Sequence, residues 1–107
     1  MRQAKRNTEA AAKLEEALKA DDQNAGAWME LTGIHGETDS IQAFTALCQR
    51  WFQAMPKNYK AHNVLAEFLE KEEKFAEALA ELKKSLRLEW NQPPIDEAVN
   101  RLEKKVK

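Results

Sequence analysis

The sequence has few of the residues that interrupt helices or cross-link small folds. Its 107 residues include three glycines, three prolines and one cysteine. A single cysteine cannot form an internal disulfide, so the fold does not depend on one. Glycine and proline are the main helix breakers, and their scarcity leaves long stretches of good helix formers. We therefore predict a single all-α domain without disulfides.

The chain also lacks a charge excess and a long apolar run. Its 17 basic and 18 acidic residues give a formal net charge of −1, which offers no general attraction for nucleic acid or an anionic membrane. No apolar run approaches the roughly 20 residues that span a bilayer, and the basic start of the chain, 1–6, lacks the apolar stretch of a secretory signal. We expect no nucleic-acid or membrane partner and a cytoplasmic protein, or a fragment of a longer one.

No recognisable catalytic or cofactor motif is present. The sequence has no Gly-rich phosphate loop, dinucleotide fingerprint or paired-carboxylate motif. The soft metal-ligand candidates are His35, Cys48 and His62, and their spacings match no zinc pattern. Nothing supplies an oxyanion hole or Gly-rich elbow for a cysteine–histidine nucleophile. We predict a chain that is not an enzyme and has no catalytic residues, cofactor or metal, with Cys48 and His35 packed in the core.

The most informative feature that is present is an internal repeat of 34 residues. Shifted by that period, apolar positions fall on apolar positions: Ala27, Leu31 and Ile34 on Ala61, Leu65 and Phe68, and Ile41, Phe44, Cys48 and Phe52 on Phe75, Ala78, Leu82 and Leu86. A fixed period of this length is typical of stacked helix pairs, in which each unit covers its neighbour's apolar face. Such an architecture favours binding over catalysis.

Helix signals divide each repeat into two helices. We predict six helices, over 8–20, 25–37, 41–55, 59–71, 75–89 and 93–106, and no strand. Asn24 and Asn58 precede helices as candidate N-caps. Asp39 and Gln42 have the spacing of a capping box, and Pro56 prevents the third helix from continuing.

The chain resembles the tetratricopeptide repeat (TPR) family on these positions. The family pattern is matched in the first unit by Trp28, Leu31-Thr32, His35, Phe44, Cys48 and Pro56, and in the second by His62, Leu65-Ala66, Leu69, Ala78 and Leu82. Small residues are expected where paired helices touch, and Thr32 and Ala66 fit. The resemblance implies a short right-handed α-solenoid of antiparallel helix pairs, one domain over 1–107. Its parts would be the second helix of a partial repeat (8–24), two repeats (25–58 and 59–92) and a C-terminal capping helix (93–107).

By the same resemblance, the first helix of each repeat lines a concave groove that binds peptides. The residues on that face would be Met29, Gly33, Lys60, Asn63, Glu67 and Lys71. A glycine at position 33 either lets a ligand backbone approach closely or merely frays the short helix or serves its C-terminal turn. In the chaperone carboxylate clamp of this family, lysine, asparagine and arginine side chains bind the C-terminal carboxylate of a peptide. We do not predict such a clamp here, because Met29, Gly33 and Val64 occupy the positions where those three residues are expected.

Trp51 departs from the family pattern, which usually has a small alanine at that position. Phe52, beside it, aligns with Leu18 and Leu86. Adjacent large apolar residues cannot both face inward from one helix, so we predict that Phe52 is the core residue. Trp51 would then either widen the spacing between repeats or form an exposed contact surface.

These observations predict a non-catalytic protein–protein interaction or scaffold module that presents a concave helical groove to a peptide or helix of a partner. The alternative is self-association, or a structural segment within a longer TPR solenoid. That alternative is motivated by the missing first helix of the partial repeat, which would leave Ala10, Leu14 and Trp28 under-covered. A weak homodimer would then form through the open N-terminal end.

Overall fold

The computed structural model describes residues 2–36 and 40–106, with side chains from Thr8 onward. Within these ranges there are six α-helices and no strand: α1 Arg2–Ala20, α2 Ala25–His35, α3 Ile41–Ala54, α4 Lys60–Lys71, α5 Phe75–Leu88 and α6 Pro93–Val106. The all-α prediction is confirmed. The largest difference lies at α1, which begins six residues earlier than predicted.

Side chains at the helix starts satisfy backbone N–H groups that have no partner within the helix. The predicted N-cap Asn24 is confirmed, and its side chain accepts from Ala27 N at 3.1 Å. At α4 the N-cap is Tyr59 rather than the predicted Asn58, although Asn58 Oδ1 accepts from Lys60 N at 2.9 Å. At α3 the cap is Ser40, whose Oγ accepts from Ala43 N at 3.2 Å. The N-cap of α3 is thus one residue later than the predicted capping box requires, and Asp39 lies outside the described residues.

The helices stack in chain order. Each helix packs on the next, and α2 also contacts α4, so the first helices of the two repeats lie side by side. Short connections make consecutive helices antiparallel. The molecule measures 41 × 31 × 21 Å, with a radius of gyration of 14.4 Å, somewhat above the ~13 Å of a compact domain of this length. This elongated stack of helix pairs is the solenoid that the repeat predicts.

The core consists of two clusters of buried residues that meet at α3 and α4. The N-terminal cluster contains Leu18, Ala27, Trp28, Leu31, Leu47, Trp51 and Ala61. The C-terminal cluster contains Phe44, Cys48, Leu65, Ala66, Phe68, Leu69, Ala78, Leu82 and Leu102. Phe52 and Val64 are half-buried and pack against both clusters. Each repeat therefore completes the core of the next, as in other solenoids.

The prediction of Trp51 as an exposed contact surface is wrong. Its side chain is fully buried in the N-terminal cluster, and its ring lies parallel to that of Trp28, with centroids 6.4 Å apart. Phe52 is the half-buried member of the pair and stacks on His62 of α4, at 4.1 Å between centroids. Because α3 lies between neighbours on two sides, it buries a wide arc, and both aromatic side chains find partners within it.

Trp28 is likewise buried, contrary to the expectation that the N-terminal end leaves it under-covered. Its Nε1 donates to the carbonyl of Asp22 at 2.8 Å. The Arg50 guanidinium lies 5.4 Å from the ring centroid and donates two hydrogen bonds to Glu15 of α1, at 2.7 and 3.0 Å. The bond from Arg50 lowers the pKa of the Glu15 carboxyl, although partial burial opposes this. Of the three residues that motivated self-association, Ala10 and Leu14 remain half-buried.

A mostly buried hydrogen bond between His62 and Glu81 joins α4 to α5. Glu81 accepts a hydrogen bond from His62 Nδ1 at 2.8 Å and another from Lys84 Nζ at 3.1 Å. Burial opposes ionisation of the carboxyl, but the two hydrogen bonds prevail and lower the pKa of Glu81 below its ordinary value of 4.5. A carboxyl with a lowered folded-state pKa stabilises the fold above the unfolded-state value, and this contribution is lost as the pH falls through the folded-state value.

Glu81→Gln should therefore flatten the acid dependence of stability. At neutral pH the variant should be about 1.5–3 kcal/mol less stable than the wild type, the usual contribution of hydrogen bonds to a charged group. Below about pH 4.5 the difference should shrink as the wild-type carboxylate is protonated. Urea unfolding at a series of pH values measures this, with Glu77→Gln, exposed on the same helix, as the control. Parallel curves for wild type and Glu81→Gln would contradict the assignment.

Candidate functional site

The six residues predicted for the groove lie around two adjoining clefts on the face formed by α2, α4 and α6. Met29 and Glu67 line both clefts. Gly33 and Lys71 line the first cleft only, and Lys60 and Asn63 line the second only. Five of the six are exposed, and Asn63 is half-buried. Residues far apart in the sequence are thus brought to one surface.

The first cleft, between α2 and α4, has a volume of about 250 Å³. Phe44 and Phe68 line it and stack on each other with ring centroids 4.1 Å apart. Gly33 forms part of its α2 wall, and a Cβ built there would have no neighbouring atom within 4 Å. Gly33 lies within α2, and its missing side chain leaves open space.

Gly36 differs from Gly33 although it lines the same cleft. A Cβ there would lie 3.0 Å from the Thr32 carbonyl oxygen and 3.5 Å from Phe44 Cε2. Its backbone N–H donates to that carbonyl at 2.8 Å as the C-cap of α2. Gly36 thus has a structural reason, the C-terminal turn of the helix, whereas Gly33 has none within the described residues.

The second cleft, between α4 and α6, has a volume of about 420 Å³. Its lining is mainly apolar, from Met29, Val64, Ala66, Leu82, Ile95 and Ala98. Ile95, Ala98 and Arg101 come from α6, which the sequence predicts only as a capping helix. The apolar stripe of α6 is visible in the sequence, but no sequence signal indicates that its groove-facing side forms a wall of this cleft.

Arg101 and Glu70 join α6 to α4 at the second cleft. The guanidinium donates from Nη2 to both Glu70 oxygens, at 2.8 and 2.9 Å, and from Nε to one of them, at 3.2 Å. This bidentate pair fixes the relative position of the two walls and occupies the Glu70 carboxylate. Among the described residues, the other charged groups of the groove, Lys60, Glu67 and Lys71, make no salt bridge.

Asn63 is held by a network that the sequence does not reveal. Its Nδ2 donates to Gln92 Oε1 at 2.9 Å. Gln92, which is 8% exposed, donates in turn to Ser85 Oγ at 2.9 Å and to the Glu89 carbonyl at 2.7 Å. Asn63 Oδ1 is buried and has no hydrogen-bond partner within the described structure. The amide is therefore anchored through its nitrogen, and its carbonyl oxygen is shielded from solvent.

Cys48 lies in the packed interior, as predicted, whereas His35 and His62 are half-buried and belong to neither core cluster. None of the three lines a cleft of the groove. Cys48 is fully buried, and burial, with a smaller effect from Glu81, raises the pKa of its thiol to about 12. A thiol with so high a pKa is protonated near neutral pH and unreactive. The described part of the chain contains no group of three or more His, Cys, Asp or Glu side chains that could hold a metal ion.

A second exposed apolar surface lies at the end of α5. Trp90 is 79% exposed and Leu88 is 41% exposed, and neither lines a cleft of the groove. Trp90 occupies the position where the TPR pattern has its closing proline.

None of the helices in the described ranges is long and apolar enough to cross a lipid bilayer.

Known structures with a similar fold include TPR domains. Comparison of the sequence with protein-family models and with curated proteins finds no match. The Arabidopsis OM64 TPR domain superposes with a TM-score of 0.75 at 24% identity, over 96% of this chain and 85% of that one. MamA MSR-1 superposes with a TM-score of 0.67 at 17% identity, over 97% and 60%. The MamA D159K mutant superposes with a TM-score of 0.65 at 20% identity, over 90% and 56%. This chain thus spans little more than half of the two MamA structures, and its fold is that of a TPR domain.

Proposed function

We propose that this chain is a non-catalytic protein–protein interaction module that binds a peptide or helix of a partner in the groove formed by α2, α4 and α6. The observation that carries the proposal is the coincidence of six sequence-predicted residues with two adjoining clefts. TPR domains commonly act in this way, and the fold of this chain is theirs. The groove combines apolar clefts with a charged rim, a composition suited to specific contacts.

Met29 is an exposed apolar residue that lines both clefts. It is 43% exposed, and its flexible thioether side chain adapts to varied apolar partners. Lys60, Glu67 and Lys71 would supply charged contacts, and the half-buried Asn63 would supply a polar contact at the second cleft. One buried apolar anchor with two or three polar contacts corresponds to micromolar affinity, about −8 kcal/mol.

Titration with peptides selected against the intact chain tests the proposal. Met29→Ala should weaken binding about tenfold, and Asn63→Ala should weaken it less. Leu88→Ala is the matched control, because Leu88 is 41% exposed, close to the 43% of Met29, and lies outside the clefts. Its affinity should equal that of the wild type. Unchanged affinity in both groove variants would show that peptides bind elsewhere.

A further inference from the structure

The two clefts form one continuous surface along α4. They share the lining residues Met29, Val64 and Glu67, so Glu67 stands where the clefts meet. We propose that the preferred occupant is an extended partner segment carrying two apolar side chains with a lysine or arginine between them. This inference rests on the proposed function and specifies the chemistry of its ligand.

The first apolar side chain would enter the cleft beside Gly33. The stacked rings of Phe44 and Phe68 line this cleft, and beyond the local backbone of α2 no atom lies within 4 Å of the missing Gly33 Cβ. The open space is thus bordered by aromatic carbon and by Met29. It has the size and lining for an aliphatic or aromatic side chain, and apolar burial favours such a contact.

The second apolar side chain would enter the cleft between α4 and α6. Leu82, Ile95 and Ala98 give this cleft a largely apolar lining, and its volume of about 420 Å³ exceeds that of the first. The Arg101–Glu70 pair holds its walls together at distances of 2.8–3.2 Å. A wall that is already fixed loses little entropy when a side chain binds against it.

The lysine or arginine between the two apolar side chains is inferred from the charged residues of the groove. Glu67 is exposed and makes no salt bridge among the described residues, while the other acidic group of the groove, Glu70, is paired with Arg101. Lys71, one turn further along α4, lines the first cleft, and Lys60 lines the second. The groove therefore carries a negative charge at Glu67, where its clefts meet, and a positive charge on each side, at Lys71 in the first cleft and at Lys60 in the second. A segment with a central cation complements this order of charges.

Selection from a random library of nine-residue peptides tests the specificity. An extended peptide of that length spans about 30 Å, enough to reach across both clefts. The intact chain should enrich peptides with two apolar residues flanking Lys or Arg. Glu67→Lys should shift that central preference to Asp or Glu, and should weaken the wild-type consensus peptide at least about tenfold at about 150 mM salt. Glu16→Lys makes the same charge change at an exposed position of α1 and should leave the selection unaltered.

The outcomes separate this inference from the proposed function. Gly33→Leu, which fills the first cleft, serves as the groove-blocked variant. The selected peptides could require an open groove and yet lack a central Lys or Arg, or bind Glu67→Lys as they bind the wild type. Either result would overturn the inferred ligand chemistry and leave the groove as the binding site. Peptides that bind Gly33→Leu as tightly as the wild type would overturn the proposed function as well. A selection that enriches no peptide would overturn both.

Discussion

Replacing Trp51 by alanine should lower the free energy of unfolding by about 3–5 kcal/mol, the range for removal of a buried aromatic side chain. The indole is fully buried and lies parallel to the ring of Trp28 in the N-terminal cluster. Its loss would leave a cavity where α1, α2, α3 and α4 meet. Since natural domains have about 5–15 kcal/mol of stability, the variant should unfold at a much lower urea concentration.

Two phenylalanine variants separate packing from hydrogen bonding. Trp51 Nε1 is buried without a hydrogen-bond partner in the described structure, so Trp51→Phe removes an unsatisfied donor along with some packing. Trp28 Nε1 donates to the Asp22 carbonyl at 2.8 Å, so Trp28→Phe also leaves that bond unmade. Trp28→Phe should therefore be about 1 kcal/mol more destabilising than Trp51→Phe, as measured by urea unfolding of each.

The result also decides between the two roles considered for Trp51. If Trp51 were a contact residue on the surface, its replacement by alanine would change the affinity for a partner and leave the unfolding curve nearly unaltered. A loss of less than about 1 kcal/mol in Trp51→Ala, together with weaker peptide binding, would favour a surface role over the packing described above. A large loss of stability would support the buried position.

The outcome at Trp51 shows where sequence patterns stop being informative. Apolar spacing identifies all six helices and part of the buried face of the repeat helices α2 to α5, because a helix must hide one stripe. It does not determine how wide that stripe is. α3 has neighbours on both sides and buries Trp51 while half-burying Phe52, an arrangement that depends on positions supplied by other helices.

The groove residues of α2 and α4 could be predicted from the sequence, whereas those of α6 could not. The residues from α2 and α4 follow from the TPR resemblance, and the structure places all six of them at the clefts. The contributions of α6 do not follow, because they depend on how that helix lies against α4. The Arg101–Glu70 pair joins residues 31 apart in the sequence, and neither residue carries a local signal that identifies its partner.

Core and groove residues are mostly distinct, so stability and binding should respond to different substitutions. Phe44, Ala66, Phe68 and Leu82 belong to the C-terminal cluster and also line a cleft. Met29, Gly33 and Glu67 line the clefts without belonging to either cluster. Position 33 shows this separation of stability from binding most clearly. Glycine there weakens the helix by roughly 1 kcal/mol relative to alanine, and no contact in the described structure requires a glycine.

Gly33→Leu should weaken peptide binding at least about tenfold, equivalent to about 1.4 kcal/mol, without destabilising the fold. The leucine side chain would occupy the space that the first cleft leaves at this position, where no atom beyond the local backbone of α2 lies within 4 Å of the Cβ site. Leucine is also a better helix former than glycine. Thermal unfolding should therefore show an unchanged or raised midpoint, and titration with a selected peptide should show the loss of affinity.

Three further substitutions make this result specific. Gly33→Ala should raise the free energy of unfolding by about 0.5–1 kcal/mol and weaken binding less than leucine does, because a methyl group fills less of the cleft. Gly36→Ala should bring no such gain, since its Cβ would lie 3.0 Å from the Thr32 carbonyl oxygen. Ala12→Leu adds a similar side chain at an exposed position of α1 and should leave binding unchanged. If Gly33→Leu binds the peptide as well as Ala12→Leu does, the cleft beside Gly33 is not where the ligand lies.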